Sequence, residues 1–261
     1  MATKVTPVVL DCDPGNDDAW AIITLLKSES RFGLQLKGIT IVHGNTTVDN
    51  GCQNAMLVLK TFDRLDIPVH VGAASPFVKT IHKSTFHGAD GFQEAYSDKP
   101  SRDLVEKTHA VEALKNLIEE NENEIIVFAV GPLTNIALLY KMYPGISSKI
   151  KSLWIMGGNI IGRGNVRIAP SAEFNFYMDP EAAVIVLEES LCGVTILPLE
   201  PCLKACESMP MEWRLTVLNS NGNRATNLMD PVDSKMPLKG NYINCDTYLI
   251  GCFLVQSSIK K

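Results

Sequence analysis

Residues 8–23, Val-Val-Leu-Asp-Cys-Asp-Pro-Gly-Asn-Asp-Asp-Ala-Trp-Ala-Ile-Ile, constrain this chain more than any other stretch. The opening apolar run, Val8 to Leu10, has the length and branching of a buried strand. Residues 19–26 are mostly apolar and predict a buried helix. Pro14 and Gly15 supply the turn between them, and Asp17 or Asp18 is placed to cap the helix. Strand, tight turn and helix in that order open an α/β unit, whose ligands gather at the strand's carboxyl end. Asp11, Asp13, Asp17 and Asp18 fall there, four carboxylates within eight residues. Their mutual repulsion raises their pKa values and strains the turn unless a cation lies among them. A hard divalent ion with oxygen ligands meets that need. One such Asp is most simply a cap or a turn residue; four together ask for more.

The same alternation continues along the chain. Residues 36–42 read as a second strand, 49–61 as a helix with Ala55, Met56, Val58 and Leu59 at helical spacing, and 67–71 as a short third strand. A helix over 109–120 and a strand over 124–130 follow. Gly131-Pro132-Leu133-Thr134-Asn135 then makes a strand-to-helix turn, with Thr134 or Asn135 capping a helix that runs to about residue 143. Further strands are predicted at 150–156 and 193–197, with a helix starting at Asp179. This pattern predicts a single α/β domain over 1–261, an open and mostly parallel sheet with helices on both faces. Residues 210–218 read as a helix with Trp213 against the core, 219–241 as a mobile connection, and 245–257 as the last helix. Residues 72–101 break the pattern. They carry His82, His87, Gly88, Asp90 and Gly91 in a loop too long for a mere connection and of the kind that covers a site.

Composition narrows the class. The formal charge of −5 leaves no basic patch for nucleic acid and no polybasic membrane signal. No window approaches the ~18 apolar residues of a membrane span. The start, Met1-Ala2-Thr3-Lys4, runs straight into the first strand, so no signal peptide is expected and the cytoplasm is the expected compartment. Seven cysteines without a CxxC pair suggest neither a zinc site nor a disulfide framework, but small buried side chains in a reducing compartment. The glycines near residue 158 do not form GxGxxG, and no Walker loop is present.

The run Asp-Cys-Asp-Pro-Gly-Asn-Asp-Asp-Ala at 11–19 resembles the calcium-dependent nucleoside hydrolases of the inosine-uridine preferring type. A DxD after a buried strand also opens the haloacid-dehalogenase phosphotransferases, which usually place a small or hydroxyl residue two positions after the second Asp, not Pro-Gly-Asn-Asp-Asp. Four more segments resemble the hydrolases, in order. They are Phe-His-Gly-Ala-Asp-Gly at 86–91, Gly-Pro-Leu-Thr-Asn at 131–135, the run 162–183 with Ala-Glu-Phe-Asn at 172–175, and Asn244-Cys245-Asp246. The resemblance implies a nucleoside hydrolase-like fold with a Rossmann-like core, and cleavage of ribonucleosides to base and ribose in purine and pyrimidine catabolism. It implies Ca²⁺ held by Asp13, Asp18, Asp246 and the main-chain carbonyl of Val130, with Asp13 as general base toward water on the metal. Asp17, Asn45, Met156, Asn165, Glu173, Phe174 and Asn175 would bind substrate, and His87 would serve the leaving base. A homo-oligomer, dimer or tetramer, is the implied assembly, with a small nucleoside as the ligand.

Two further residues stay open. Asp11 sits in the acidic motif without a family role, and Cys245 replaces the His that commonly precedes the last Asp. A thiol of ordinary pKa, ~8.5, is a weak proton donor there. Extra residues separate Asn165 from Glu173, and similar enzymes continue well beyond the last metal ligand, so a shortened carboxyl end is expected. The competing readings are a silent family member that binds ribosides or a partner, and a Mg²⁺ phosphotransferase of the DxD kind.

Overall fold

The structure is a computed structural model that describes residues 5–78, 86–219, 222–237 and 240–259, with side chains described to residue 256. His82 and the first four residues, on which two of the expectations above fall, lie outside the described residues. The strands are β1 (Thr6–Cys12), β2 (Leu34–Ile41), β3 (Val69–Val71), β4 (Ile126–Ala129), β5 (Ser152–Met156) and β6 (Gly193–Leu197). The helices are α1 (Asn16–Phe32), α2 (Val48–Thr61), α3 (Ala110–Glu120), α4 (Thr134–Met142), α5 (Phe174–Met178) and α6 (Pro180–Glu189). They continue with α7 (Leu199–Cys206), α8 (Met211–Thr216), α9 (Arg224–Asp233) and α10 (Cys245–Ile259).

The six strands form one sheet in the order β3-β2-β1-β4-β5-β6, with every neighbouring pair parallel. The two-residue period of a strand sends alternate side chains to opposite faces. Val8, Leu10 and Cys12 of β1 and Phe128 of β4 accordingly join one core, with α1, α2, α9 and α10. Val9, Val127 and Ala129 join the other, with α3, α4 and α6. Phe253 of α10 meets Phe128 edge-on at 5.1 Å and Trp154 of β5 at 5.3 Å, which seats the last helix across the centre of the sheet. The order of the strands reverses between β1 and β4. A crevice opens at such a switch point because the loops leaving the two strands part to opposite faces. The Asp-Pro-Gly turn after β1 and the Gly-Pro turn after β4 line it.

Three expectations need correction. Neither Thr134 nor Asn135 caps α4, whose cap position is Leu133 without a side-chain bond. Thr134 instead donates to Asp179 Oδ2 at 2.6 Å, and Asn135 donates to Asp11 Oδ1 at 2.8 Å. At the buried end of the sheet both side chains find tertiary acceptors, and these displace the local bond. Trp213 is 40 % exposed, and the buried residue of α8 is its neighbour Arg214. Ion pairs with α9 turn Arg214 inward. Within 219–241, α9 stands where a connection was expected. Asn223 caps it by accepting from Ala225 and Thr226, and Pro231 falls in its last turn. The residues that read as loop formers are thus the cap and the closing turn.

Candidate active site

Gly15 ends the turn after β1, and α1 begins at Asn16. Asp18, in the helix's first turn, reaches back and accepts from the backbone N–H groups of Gly15 at 2.9 Å and Asp13 at 3.1 Å. These two hydrogen bonds close the turn and fix Asp13 beside Asp18. Asp13 Oδ2 accepts from the backbone N–H of Asn45 at 2.7 Å, while Asn45 Nδ2 donates to Asp18 Oδ2 at 3.2 Å. Two glycines make room for the Asp13 carboxylate. A Cβ on Gly44 would stand 1.9 Å from Oδ2, and one on Gly131 2.9 Å from Oδ1. Asp11 lies one layer deeper, where Thr40 and Asn135 donate to its Oδ1. Asp11, like Asp13 and Asp18, does not itself line the cavity.

Asp246 arrives from the first turn of α10. Asp17, Asp18 and Asp246 each offer an oxygen such that the three lie within 4.8 Å of one another. Burial, and next the neighbouring carboxylates, push Asp13 and Asp246 well above the ordinary carboxyl range. Burial likewise pushes Asp17 and Asp18 up to about 6, with the charge of Asp17 adding to the effect on Asp18. Asp11 rises to about 7, again through burial. Among the described residues, the buried Asp13 Oδ1 and Asp17 Oδ1 find no hydrogen-bond partner. Three desolvated carboxylates, Asp17, Asp18 and Asp246, converge on one point, and Asp13, which is outside that trio, is tied to it through its backbone bond to Asp18. That is the donor set of a hard divalent cation, and the residues present fit one.

Above this floor lies a cavity of about 210 Å³. Asp17, Asn45, Val130, Met156 and Asp246 line its base, and Asn165, Glu173, Phe174 and Asn175 its side. The Val130 carbonyl accepts from Asn175 Nδ2 at 2.8 Å, and that amide also meets the Met156 carbonyl at 3.1 Å. A carbonyl keeps a second lone pair for another partner. Glu173 accepts from the backbone N–H groups of Gly158, Asn175 and Phe176, so its carboxylate joins the loop after β5 to the start of α5. Asn165 is exposed, and its side chain accepts from the Phe174 N–H at 2.8 Å. The residues that intervene fold back on themselves, with Gly164 donating to Pro170 and Asn165 to Ala172. The additional length therefore leaves Asn165 beside the segment it was expected to join.

His87 closes the opposite side. The Asn16 backbone N–H, which can only donate, points to His87 Nδ1 at 3.3 Å, so the neutral ring carries its proton on Nε2. Nε2 stands 3.9 Å from Asp17 Oδ1 at the cavity wall. Burial pushes this imidazole down to about 4. Asn54 fastens the His87 loop to the acidic turn by donating to the carbonyls of Pro14 at 2.9 Å and Asp90 at 2.8 Å. Lys99 adds bonds to Asn54 Oδ1 and Asp90 Oδ2. Cys245 also lines the cavity, and a thiol–thiol hydrogen bond with Cys202, then burial, holds its pKa well above the usual range.

Five lining residues were not legible in the sequence: Asn16, Phe86, Leu199, Leu203 and Ile243. Leu199 and Leu203 share a face of α7, one turn apart. Pro198 and Pro201 disguise that helix, although proline is tolerated in a first turn. Asn16 and Phe86 lie inside the two motifs but gave no signal of their own.

The model of the inosine-uridine preferring nucleoside hydrolases matches residues 8–248. The pyrimidine-specific ribonucleoside hydrolase RihA of Escherichia coli O1:K1 / APEC is 39 % identical over 186 residues, covering 71 % of this chain and 58 % of that protein. RihA of Salmonella arizonae matches with the same identity and coverage. The match thus spans less than two thirds of the length of these curated relatives. Among solved structures, a plant nucleoside hydrolase, PpNRh1, superposes with a TM-score of 0.83 at 26 % identity, covering 97 % of this chain and 79 % of that one. An inosine-guanosine nucleoside hydrolase superposes with a TM-score of 0.81 at 30 % identity, covering 94 % and 77 %.

Proposed function

The chain belongs to the inosine-uridine preferring nucleoside hydrolase family, and from that premise we propose that it hydrolyses the N-glycosidic bond of ribonucleosides to free base and ribose. One observation carries the proposal. A single cavity has converging carboxylates at its base, amide and carboxylate groups at its side, and an imidazole facing it. The cation we assign is Ca²⁺, which takes six to eight oxygens in a flexible geometry. Asp13, Asp18, Asp246 and the Val130 carbonyl would hold it, with Asp17 beside them. When bound it supplies an acidified water and a fixed positive charge for ribose hydroxyls.

Each residue has a part that its surroundings support. Breaking the bond to the base develops oxocarbenium-like positive charge on the ribose, and the carboxylate floor stabilises that charge. Asp13 Oδ1, without a hydrogen-bond partner, takes the proton from the attacking water. Asp17 and Asn45 bind ribose hydroxyls, and Asn165, Glu173 and Asn175 hold the far side of the sugar against Phe174. Glu173 and Asn175 are themselves locked by backbone bonds, so they present a fixed surface to the sugar. His87, neutral near pH 7, donates a hydrogen bond from Nε2 to the departing base instead of delivering a full proton as imidazolium. Cys245 and the apolar side chains of Leu199, Leu203 and Ile243 complete the wall.

The relatives at 39 % identity are named pyrimidine-specific, which makes uridine the first substrate to try. The test is ribose release from uridine and inosine by the purified chain, with Ca²⁺ and with a chelator. Chelator-sensitive release is expected. No release from a folded sample that still binds ribose would overturn hydrolysis in favour of a silent riboside-binding member. An acid-labile phosphoenzyme would point to phosphotransfer.

A further inference from the structure

Arg214 of α8 does not line the cavity, yet its side chain is fully buried. Its Nη1 lies 2.7 Å from Asp230 Oδ1 and its Nη2 2.7 Å from Asp233 Oδ2. The guanidinium also stacks 4.7 Å above the Trp20 ring and 5.8 Å from that of Tyr242. Asp233 is equally buried. Its Oδ2 accepts from Trp20 Nε1 at 3.0 Å and its Oδ1 from Asn16 Nδ2 at 3.1 Å.

These contacts run in two directions. Asn16 and Trp20 are one turn apart on α1, so two donors from the same helix face converge on one carboxylate. That pairing sets the rotation of α1 about its axis, and the rotation sets where Asp17 and Asp18 point. On the other side, the Tyr242 hydroxyl accepts from Asn244 Nδ2 at 2.8 Å, and Asn244 Oδ1 accepts from the Thr247 N–H at 3.1 Å. That second bond caps the turn of α10 that carries Cys245 and Asp246. Among the described residues, only Nη1 makes a directed hydrogen bond, to Asp230. Nη2 meets Asp233 as a close ion pair without hydrogen-bond geometry, so the guanidinium joins its partners by charge and by its flat face over Trp20. A buried ion pair is a poor way to gain stability, because desolvation offsets most of the attraction. Holding a geometry is the use that remains.

We propose that Arg214 and Asp233 are positioning residues that fix the first turn of α1 against the first turn of α10, and so set the carboxylates' grip on a divalent cation. The inference rests on the hydrolase reading for the identity of that cation. Removing an outer partner of a metal site costs about 10–100-fold in affinity.

The test uses the full chain freed of metal, with three replacements: Asp233→Asn, Arg214→Lys, and the apolar pair Arg214→Met with Asp233→Leu. The pair leaves no buried charge unmatched between these two positions, which keeps the experiment open if a single replacement does not fold. Ca²⁺ affinity is read by titration calorimetry, and hydrogen exchange is read at the Asn16 and Thr247 amides. Folded variants are expected to bind Ca²⁺ about 10–100-fold more weakly and to exchange both amides faster. Lower thermal stability with unchanged affinity and unchanged exchange assigns a merely structural role and overturns the proposal. Should the unaltered chain bind no Ca²⁺, the hydrolase reading falls instead. Exchange at the two amides then decides the positioning role, and unchanged rates overturn it.

Discussion

Asp13 is packed on three sides: Asn45 donates to one oxygen, and Gly44 and Gly131 stand against the carboxylate, leaving Oδ1 without a partner. Such a group is poised for a ligand or a proton. Asp13→Asn keeps the volume and removes the basicity. Turnover is expected to fall by about 10²–10⁴-fold, the range for a general base, with the unfolding midpoint maintained or raised by relief of repulsion. Ribose release and a thermal melt check this together, and unchanged turnover removes Asp13 as the base. Asp13 was legible as a candidate because its signal is local, a carboxylate directly after a buried strand and inside an acidic motif. Asn16 sits three places further on and was not legible. Its backbone partner is His87 and its side-chain partner Asp233 lies 217 positions away, so nothing beside it in the chain marks either contact.

Elements deliver these residues through packing of strand and helix ends. The end of β2 brings Gly44 so close to Asp13 that a methyl group there has no space. Gly44→Ala is expected to push the β1 and β2 ends apart, lowering both the thermal midpoint and turnover, the latter by at least about 10²-fold for displacement of the base. Melting curves and ribose release measure the two effects, and an alanine variant with unaltered values would show that the strand ends yield freely. All six strands, β3 included, were readable as short apolar runs, α2 from helical spacing, and α1 and α4 from the turns that open them. Helices α7 and α9 were not. Pro201 in the first turn of α7, and Asn223 and Pro231 at the two ends of α9, carry the signature of loops. Burial of Leu199, Cys202, Leu228, Met229 and Val232 is what makes these segments helical in place.

Across the whole molecule, the fold keeps protons that the unfolded chain releases. Burial lifts Asp11 to about 7 and Asp17 and Asp18 to about 6, with Asp13 and Asp246 also raised. Ordinary carboxyls lose their protons near 4, so between about pH 4 and 7 the native state binds more protons and its stability falls as pH rises. His43 and His87, pushed down to about 4 by burial, act oppositely between about 4 and 6.5, since there only the unfolded chain takes up protons. The named carboxyls outnumber the imidazoles. The chelated protein is therefore expected to melt at a lower temperature near pH 7.5 than near pH 5, and saturating Ca²⁺ to raise the midpoint at about pH 7.5 by mass action on the native state. A flat or rising midpoint in chelator would show that the buried carboxylates do not govern stability.

The sequence by itself determined the alternation of strands and helices, the parallel sheet, and the cluster of acids at the carboxyl end of β1. Those features follow from periods of two and 3.6 residues and from turn chemistry, which act within a few positions. Only the tertiary structure decided which distant groups meet beyond those the motifs had already grouped: Asn16 with His87 and Asp233, Asn54 with Asp90, and Arg214 with Asp233. A contact between remote segments depends on how whole faces pack. The same Asn, Arg or Asp suits a solvated surface equally well until burial removes water and leaves a protein partner as its compensation.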